Sequence, residues 1–141
     1  MSLSYYLPLL MVVLANVGYH NIAKNQPPNA NAFLTLAVAY TVSAIVTFGL
    51  FFIFKGNLRA EFTHLNWTSW ALGIVIVGVE LGYILMYRAG WMISTAALVA
   101  NIVVAVLLLT LGLLFYKETI TLTQSLGILL CLAGLVLVNL K

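Results

Sequence analysis

The middle of the chain reads WALGIVIVGVELGYILMY over residues 70–87, an apolar run with one carboxylate, Glu80, near its centre. A carboxylate at membrane depth costs about 3 kcal/mol or more, and it usually faces a water-filled path or a partner charge. At 100° per residue, Glu80, Tyr83 and Tyr87 lie within about 60° of one another on a helix. The stretch therefore predicts a membrane-spanning helix with one polar, aromatic face that serves as a functional site.

The composition of the whole chain places it in a membrane. Of its 141 residues, 64% are hydrophobic and 6% are charged, whereas soluble domains carry about 25% charged residues. The pattern lacks the alternating short segments of an outer-membrane barrel, so an all-α integral membrane fold is predicted. A net charge of +3 is ordinary for basic residues beside a membrane, and it predicts no nucleic-acid partner.

No chemistry of the usual catalytic kinds is visible in the sequence. We find no nucleophile–base pair, no metal-ligand cluster and no phosphate-binding loop. A single cysteine, Cys131, lies in an apolar run and cannot form a disulfide or metal framework alone. The sequence therefore predicts a protein that is not an enzyme and that needs neither cofactor nor metal.

Apolar segments divide the chain into membrane spans. Because a helical span needs about 20 apolar residues, we predict one domain over residues 1–141 with five transmembrane helices. Two prolines, Pro27 and Pro28, interrupt the first apolar run, and a charged loop is predicted at residues 55–66. Thr121 and Gln124 have the spacing of a capping box that starts the fifth helix. The predicted spans are residues 5–23, 32–54, 67–88, 92–115 and 120–140.

Polar side chains in three other spans are further candidates for the site. Asn16 and His20 share one face of the first span, Tyr40 begins a weakly polar stripe in the second, and Asn101 lies in a stripe of small residues in the fourth. We predict that these residues line the substrate path together with Glu80. The alternative is that they only hydrogen-bond neighbouring helices, a common use of polar residues inside membranes.

The basic residues do not favour one orientation of the chain. With alternating spans, three of the six fall on each side of the membrane, and the excess of Lys and Arg normally sets the orientation. We therefore predict that the chain inserts both ways and forms an antiparallel dimer. The alternative is that other signals fix one orientation. The first side holds Lys55, Arg59 and Lys117, and the second holds Lys24, Arg88 and Lys141.

Two segments of the C-terminal part, WMISTAALVANI at 91–102 and YKETITLTQSLGILLCLAGLVLV at 116–138, resemble the drug/metabolite transporter superfamily, and within it the EamA-like domain. The resemblance implies a five-helix repeat, of which this sequence carries one, although most members carry two. It assigns Glu118 to the fold signature and gives it no catalytic role. The other signature positions are Thr121, Gln124, Gly127 and Gly134.

One branch of that superfamily, the small multidrug transporters, has four spans and an essential glutamate in the first. This sequence has Asn16 and His20 in its first span and its membrane carboxylate, Glu80, in the third. Coupling through a first-span glutamate is therefore not carried over to this chain.

These observations predict one half of a secondary transporter in the inner or plasma membrane, crossing it several times and working as a homodimer. It would export or exchange a small metabolite or drug-like molecule by alternating access. Glu80 would bind a proton or cation, and Tyr83 and Tyr87 would contact the substrate. The predicted partners are the lipid bilayer, a second copy of the chain and the substrate. Two alternatives remain: a subunit of a lipid or lipid-linked sugar flippase, and a non-transporting membrane subunit.

Overall fold

Helices make up the architecture of the computed structural model, which describes residues 3–54, 56–117, 119 and 121–139. No β-strand occurs among these residues. The helices are α1 (Leu3–Lys24), α2 (Ala32–Ile53), the short α3 (Leu58–Glu61), a 3-10 turn (Phe62–His64), α4 (Trp67–Arg88), α5 (Ile93–Phe115) and α6 (Leu122–Asn139).

Polar side chains cap the starts of α2 and α6. Asn31 accepts hydrogen bonds from the backbone N–H groups of Phe33 and Leu34, at 2.9 and 3.1 Å. At α6 the side chain of Gln124 accepts from the N–H of Thr121 at 2.8 Å, and the Thr121 hydroxyl accepts from the N–H of Gln124 at 3.3 Å. These bonds satisfy N–H groups that have no partner within the helix. The capping box predicted from the sequence is confirmed.

The predicted loop at residues 55–66 is more ordered than expected, because it contains α3 and the 3-10 turn. Asn57 caps α3 by accepting from the N–H of Ala60 at 3.4 Å. Asparagine is a favoured N-cap residue, and the sequence prediction did not use this signal. Lys55, Glu118 and Lys141, which entered the charge count or the family signature, lie outside the described residues.

The described residues form two compact units. The first consists of the chain up to His20 together with the chain from Gly90 onward, and in it α5 packs against α6. The second runs from Asn21 to Ala89, and in it α2 packs against α4. We call these the α5–α6 unit and the α2–α4 unit.

Among the residues that the structure describes, four helices are long and apolar enough to cross a membrane: α1 from Tyr5 onward, α2, α4 and α5. In α6 the apolar stretch found among the described residues is shorter, Leu122–Gly134. Many large apolar side chains stay exposed, such as Ile53 at 72% and Ile74 at 76%. Lipid is as apolar as these side chains, so their exposure has no hydrophobic cost in a bilayer. A multi-pass membrane protein is therefore supported, with a fifth span still a prediction.

Candidate functional site

The face of α4 that carries Glu80 also carries two tyrosines, and we call the row Glu80, Tyr83 and Tyr87 the ladder. The rings of Tyr83 and Tyr87 stack, with centroids 6.3 Å apart and planes at 25°. Tyr87 is buried, and Glu80 and Tyr83 are half-buried. Residues four apart lie one above the other on a helix, which explains why the two rings meet. From the middle of α4 towards its C-terminal end, this face therefore presents a carboxylate and then two phenol rings.

Helix α2 packs against the neighbouring face of α4, which carries Ile84 and Leu81. Ala32 and Leu36 of α2 pack with Ile84 of α4 in a small apolar core, and Tyr40 and Leu81 flank it. Ala32, Leu36 and Tyr40 follow one another at intervals of four residues, so they share one face of α2. This core fixes the side of α2 that α4 meets.

The two helices place Tyr40 and Glu80 at matching depths. At one end of the pair, Arg88 of α4 donates a hydrogen bond to the carbonyl oxygen of Ala30, just before α2 begins, at 2.6 Å. Tyr40 is eight residues into α2 from Ala32, and Glu80 is eight residues back from Arg88, about 12 Å of helical rise in each case.

The hydroxyl of Tyr40 is buried and has no hydrogen-bond partner among the residues that the structure describes. Leaving a buried polar group unsatisfied costs about 1–3 kcal/mol. Such a group is a good candidate to bind a ligand or a water molecule. Tyr40 and Glu80 together therefore offer a hydrogen-bonding group and a carboxylate at one depth of the α2–α4 unit.

A cation lies over Tyr87, at the end of the ladder nearest the C-terminus of α4. The Nζ atom of Lys24, the last residue of α1, is 5.6 Å from the centroid of the Tyr87 ring. The sequence prediction used Lys24 and Arg88 only to count charges on one side of the membrane. Their shared side of the membrane was the one sequence signal for this contact, because it places Lys24 at the same membrane surface as the C-terminal end of α4. Their actual partners, Tyr87 and Ala30, could not be deduced from it.

The remaining predicted site residues belong to the α5–α6 unit. Asn16 is exposed on α1, and His20 is buried with its ring 5.1 Å from that of Tyr19 in an edge arrangement. Asn101 is exposed on α5 and lines a cavity of about 530 Å³ between α5 and α6. The predicted set is thus divided, with Tyr40, Glu80, Tyr83 and Tyr87 in the α2–α4 unit and Asn16, His20 and Asn101 in the other.

Metal ligands do not cluster in the described part of the chain, where no group of three or more His, Cys, Asp or Glu side chains could hold an ion. Of the acidic residues described there, Glu61 is exposed and Glu80 is half-buried. The candidate site is accordingly a single carboxylate with three tyrosines and one nearby lysine.

The model of the EamA-like transporter family matches residues 3–140, which is nearly the whole chain. No curated protein and no solved structure matches significantly.

Proposed function

The chain belongs to the EamA-like transporter family, and on that premise we propose that it is one half of a secondary transporter for a small metabolite or drug-like molecule. Transport would proceed by alternating access, in which two repeats rock about a site near the middle of the membrane. The family supports a transporter role, and the residues of the α2–α4 unit support our proposals for the substrate and the coupling.

The observation that carries this proposal is the grouping of Glu80 with Tyr40, Tyr83 and Tyr87. Ionisable residues inside spans are expensive and mark substrate, ion or proton pathways. Glu80 would bind a proton in one step of the cycle and the substrate or a cation in another. The rings of Tyr83 and Tyr87 offer stacking surfaces, and the Tyr40 hydroxyl offers a hydrogen bond at the depth of the carboxylate.

We propose further that the working form is an antiparallel homodimer in the inner or plasma membrane. An inverted-repeat transporter needs two repeats of opposite orientation, and the family match covers a single stretch, residues 3–140. The balanced distribution of basic residues supports insertion in both orientations. In this arrangement α6 would be the fifth span, extending the apolar stretch Leu122–Gly134.

The decisive experiment compares Glu80→Gln with wild type in liposomes under an imposed proton gradient. Glutamine is close in shape to glutamate but cannot release a proton, so the variant should fold and lose gradient-driven uptake. The matched control is Glu61→Gln, which removes an exposed carboxylate in α3 and should transport normally. Wild-type rates in purified Glu80→Gln protein would show that Glu80 is only a structural residue.

A second candidate function, lipid flipping, is favoured by the cavity between α5 and α6. Its volume is about 530 Å³, and its polar groups, those of Asn101 and Gln124 among them, sit in a mostly apolar lining. Such a groove could pass a lipid headgroup along the helix pair. Proteoliposomes that contain a fluorescent lipid would test it, because flipping should then be fast and should slow in Asn101→Leu.

A further inference from the structure

The ring of Tyr87 already has a cation on its face. The Lys24 ammonium lies 5.6 Å from the ring centroid, within the distance of about 6 Å at which a cation is attracted by an aromatic face. Tyr87 is only 6% exposed, and Tyr83 stacks against it. The buried, stacked ring cannot easily turn away, so it offers a fixed surface for positive charge.

The backbone around Lys24 explains how this cation is held. Lys24 ends α1, where the helix dipole favours a positive charge. Arg88, one residue after Tyr87, hydrogen-bonds the carbonyl of Ala30 at 2.6 Å and ties the end of α4 to the segment that follows α1. The connection between α1 and α2 thus begins at Lys24 and is held against the end of α4, which carries Tyr87, by the Arg88–Ala30 hydrogen bond.

From Tyr87 the ladder runs along α4 towards the middle of the helix. Tyr83 is one helical turn from Tyr87 and Glu80 is about two turns away, on the same face of α4. No basic residue occurs in the sequence between Glu80 and Tyr87. A positively charged molecule moving along this face would leave a cation–π contact at Tyr87, pass Tyr83 and end at a carboxylate.

We propose that Lys24 is an internal competitor for the cation site on Tyr87, and that the substrate of this ladder is an apolar organic cation. Lys24 covers the ring when the site is empty and is displaced when substrate enters, so it determines both affinity and access. This inference rests on the proposed function, because it takes the ladder that ends at Glu80 as the substrate path.

The test measures binding of tetraphenylphosphonium to the purified full chain in nanodiscs, by calorimetry. Lys24→Gln and Lys24→Met remove the competing charge and should tighten binding about two- to thirtyfold, the range set by the strength of cation–π contacts. Lys24→Arg keeps a cation on the ring and should bind like wild type. In Tyr87→Leu binding should weaken, and Lys24→Gln should have no further effect in that background.

Lys117→Asn provides the matched control. Lys117 is exposed after α5 with a backbone φ of 52°, a conformation that asparagine tolerates. This variant loses the same charge outside the ladder and should leave the affinity for tetraphenylphosphonium unchanged. Tetraphenylborate, a probe of equal shape and opposite charge, should bind the wild type more weakly than the cation does.

Two outcomes would overturn the inference. Unchanged or weaker cation binding in Lys24→Gln and Lys24→Met would mean that Lys24 does not compete. Loss of tetraphenylborate binding in the same variants, with the wild type preferring that anion, would make Lys24 a ligand for anionic substrates. The proposed function fails separately, because Glu80→Gln transport can be normal or lost whatever Lys24 does to cation affinity.

Discussion

A proton and an organic cation should compete for Glu80 if that carboxylate is the coupling group. Binding of tetraphenylphosphonium to the wild type should then weaken as the pH falls through the pKa of Glu80. One competing proton limits the loss to about tenfold per pH unit. In Glu80→Gln this pH dependence should disappear, which calorimetry at several pH values would measure.

Histidine is the control for this experiment, because its side chain ordinarily titrates between pH 5 and 8. His20→Gln should keep the wild-type pH dependence of binding. If His20→Gln removes it and Glu80→Gln retains it, the competing proton binds histidine and the role of Glu80 is wrong.

The hydrogen bond from Arg88 to Ala30 should contribute to stability. It joins residues on either side of α2 at 2.6 Å, and Arg88 is exposed, so solvent reduces its net value to about 1 kcal/mol. Arg88→Ala should lower the free energy of unfolding by that amount in mixed micelles titrated with dodecyl sulfate. Arg59→Ala, an exposed arginine in α3, is the control. Equal effects of the two substitutions would mean that the bond contributes nothing.

Individual contacts within one helix could be predicted from the sequence, whereas those between helices could not. The interval of four residues between Tyr83 and Tyr87 is enough to place both rings on one face, and the structure shows them stacked. The position of Lys24 over Tyr87 depends on how the ends of α1 and α4 meet. Helical periodicity describes one element at a time and carries no information about that meeting.

Among the elements, helix starts were partly predictable because they depend on local hydrogen bonds. Thr121 and Gln124 form the expected capping box at α6. Residues 55–66 were predicted as a loop because their polar composition hid α3, a single turn that Asn57 caps. Packing of α2 on α4 needs tertiary information, since several spans offer similar apolar faces.

The face of α4 that carries Gly78 and Gly82 should contact a second copy of the chain. Gly78 and Gly82 lie opposite Glu80 on the helix. Apart from the chain neighbours and the backbone of α4 itself, no atom of the described residues lies within 4 Å of a Cβ placed at either position. Gly78→Leu and Gly82→Leu should therefore leave the fold of one chain intact. They should weaken association if this face meets a second copy, because small residues let helices approach closely in membranes.

Association of these glycine variants can be measured by single-molecule photobleaching in lipid vesicles diluted over a wide range. Gly49→Leu on α2 is a matched control, because a Cβ there also meets no described atom beyond its chain neighbours and the backbone of its own helix. Unchanged dimer fractions in Gly78→Leu and Gly82→Leu would mean that this face looks at lipid.

At the level of the whole molecule, composition and the C-terminal motifs were sufficient for the class of protein. The family is confirmed by the match over residues 3–140, and the helical fold class is confirmed for the described residues. In the described part of the chain, four helices meet the length and hydropathy of a span. The seven predicted site residues fall into two units. This division could not be predicted from the positions of polar residues in the sequence.

The balance of basic residues makes a prediction about the orientation of the entire chain. Six Lys and Arg residues are shared equally between the two predicted sides of the membrane, and this bias normally decides orientation. Reporter fusions at Lys141 should therefore show both orientations in comparable amounts. Two lysines added to the 55–66 loop should drive that loop to the cytoplasm. Two lysines added beside Lys24 should instead place the 55–66 loop on the opposite side of the membrane. A wild-type chain found in a single orientation would exclude an antiparallel homodimer, because such a dimer needs the same sequence to insert both ways.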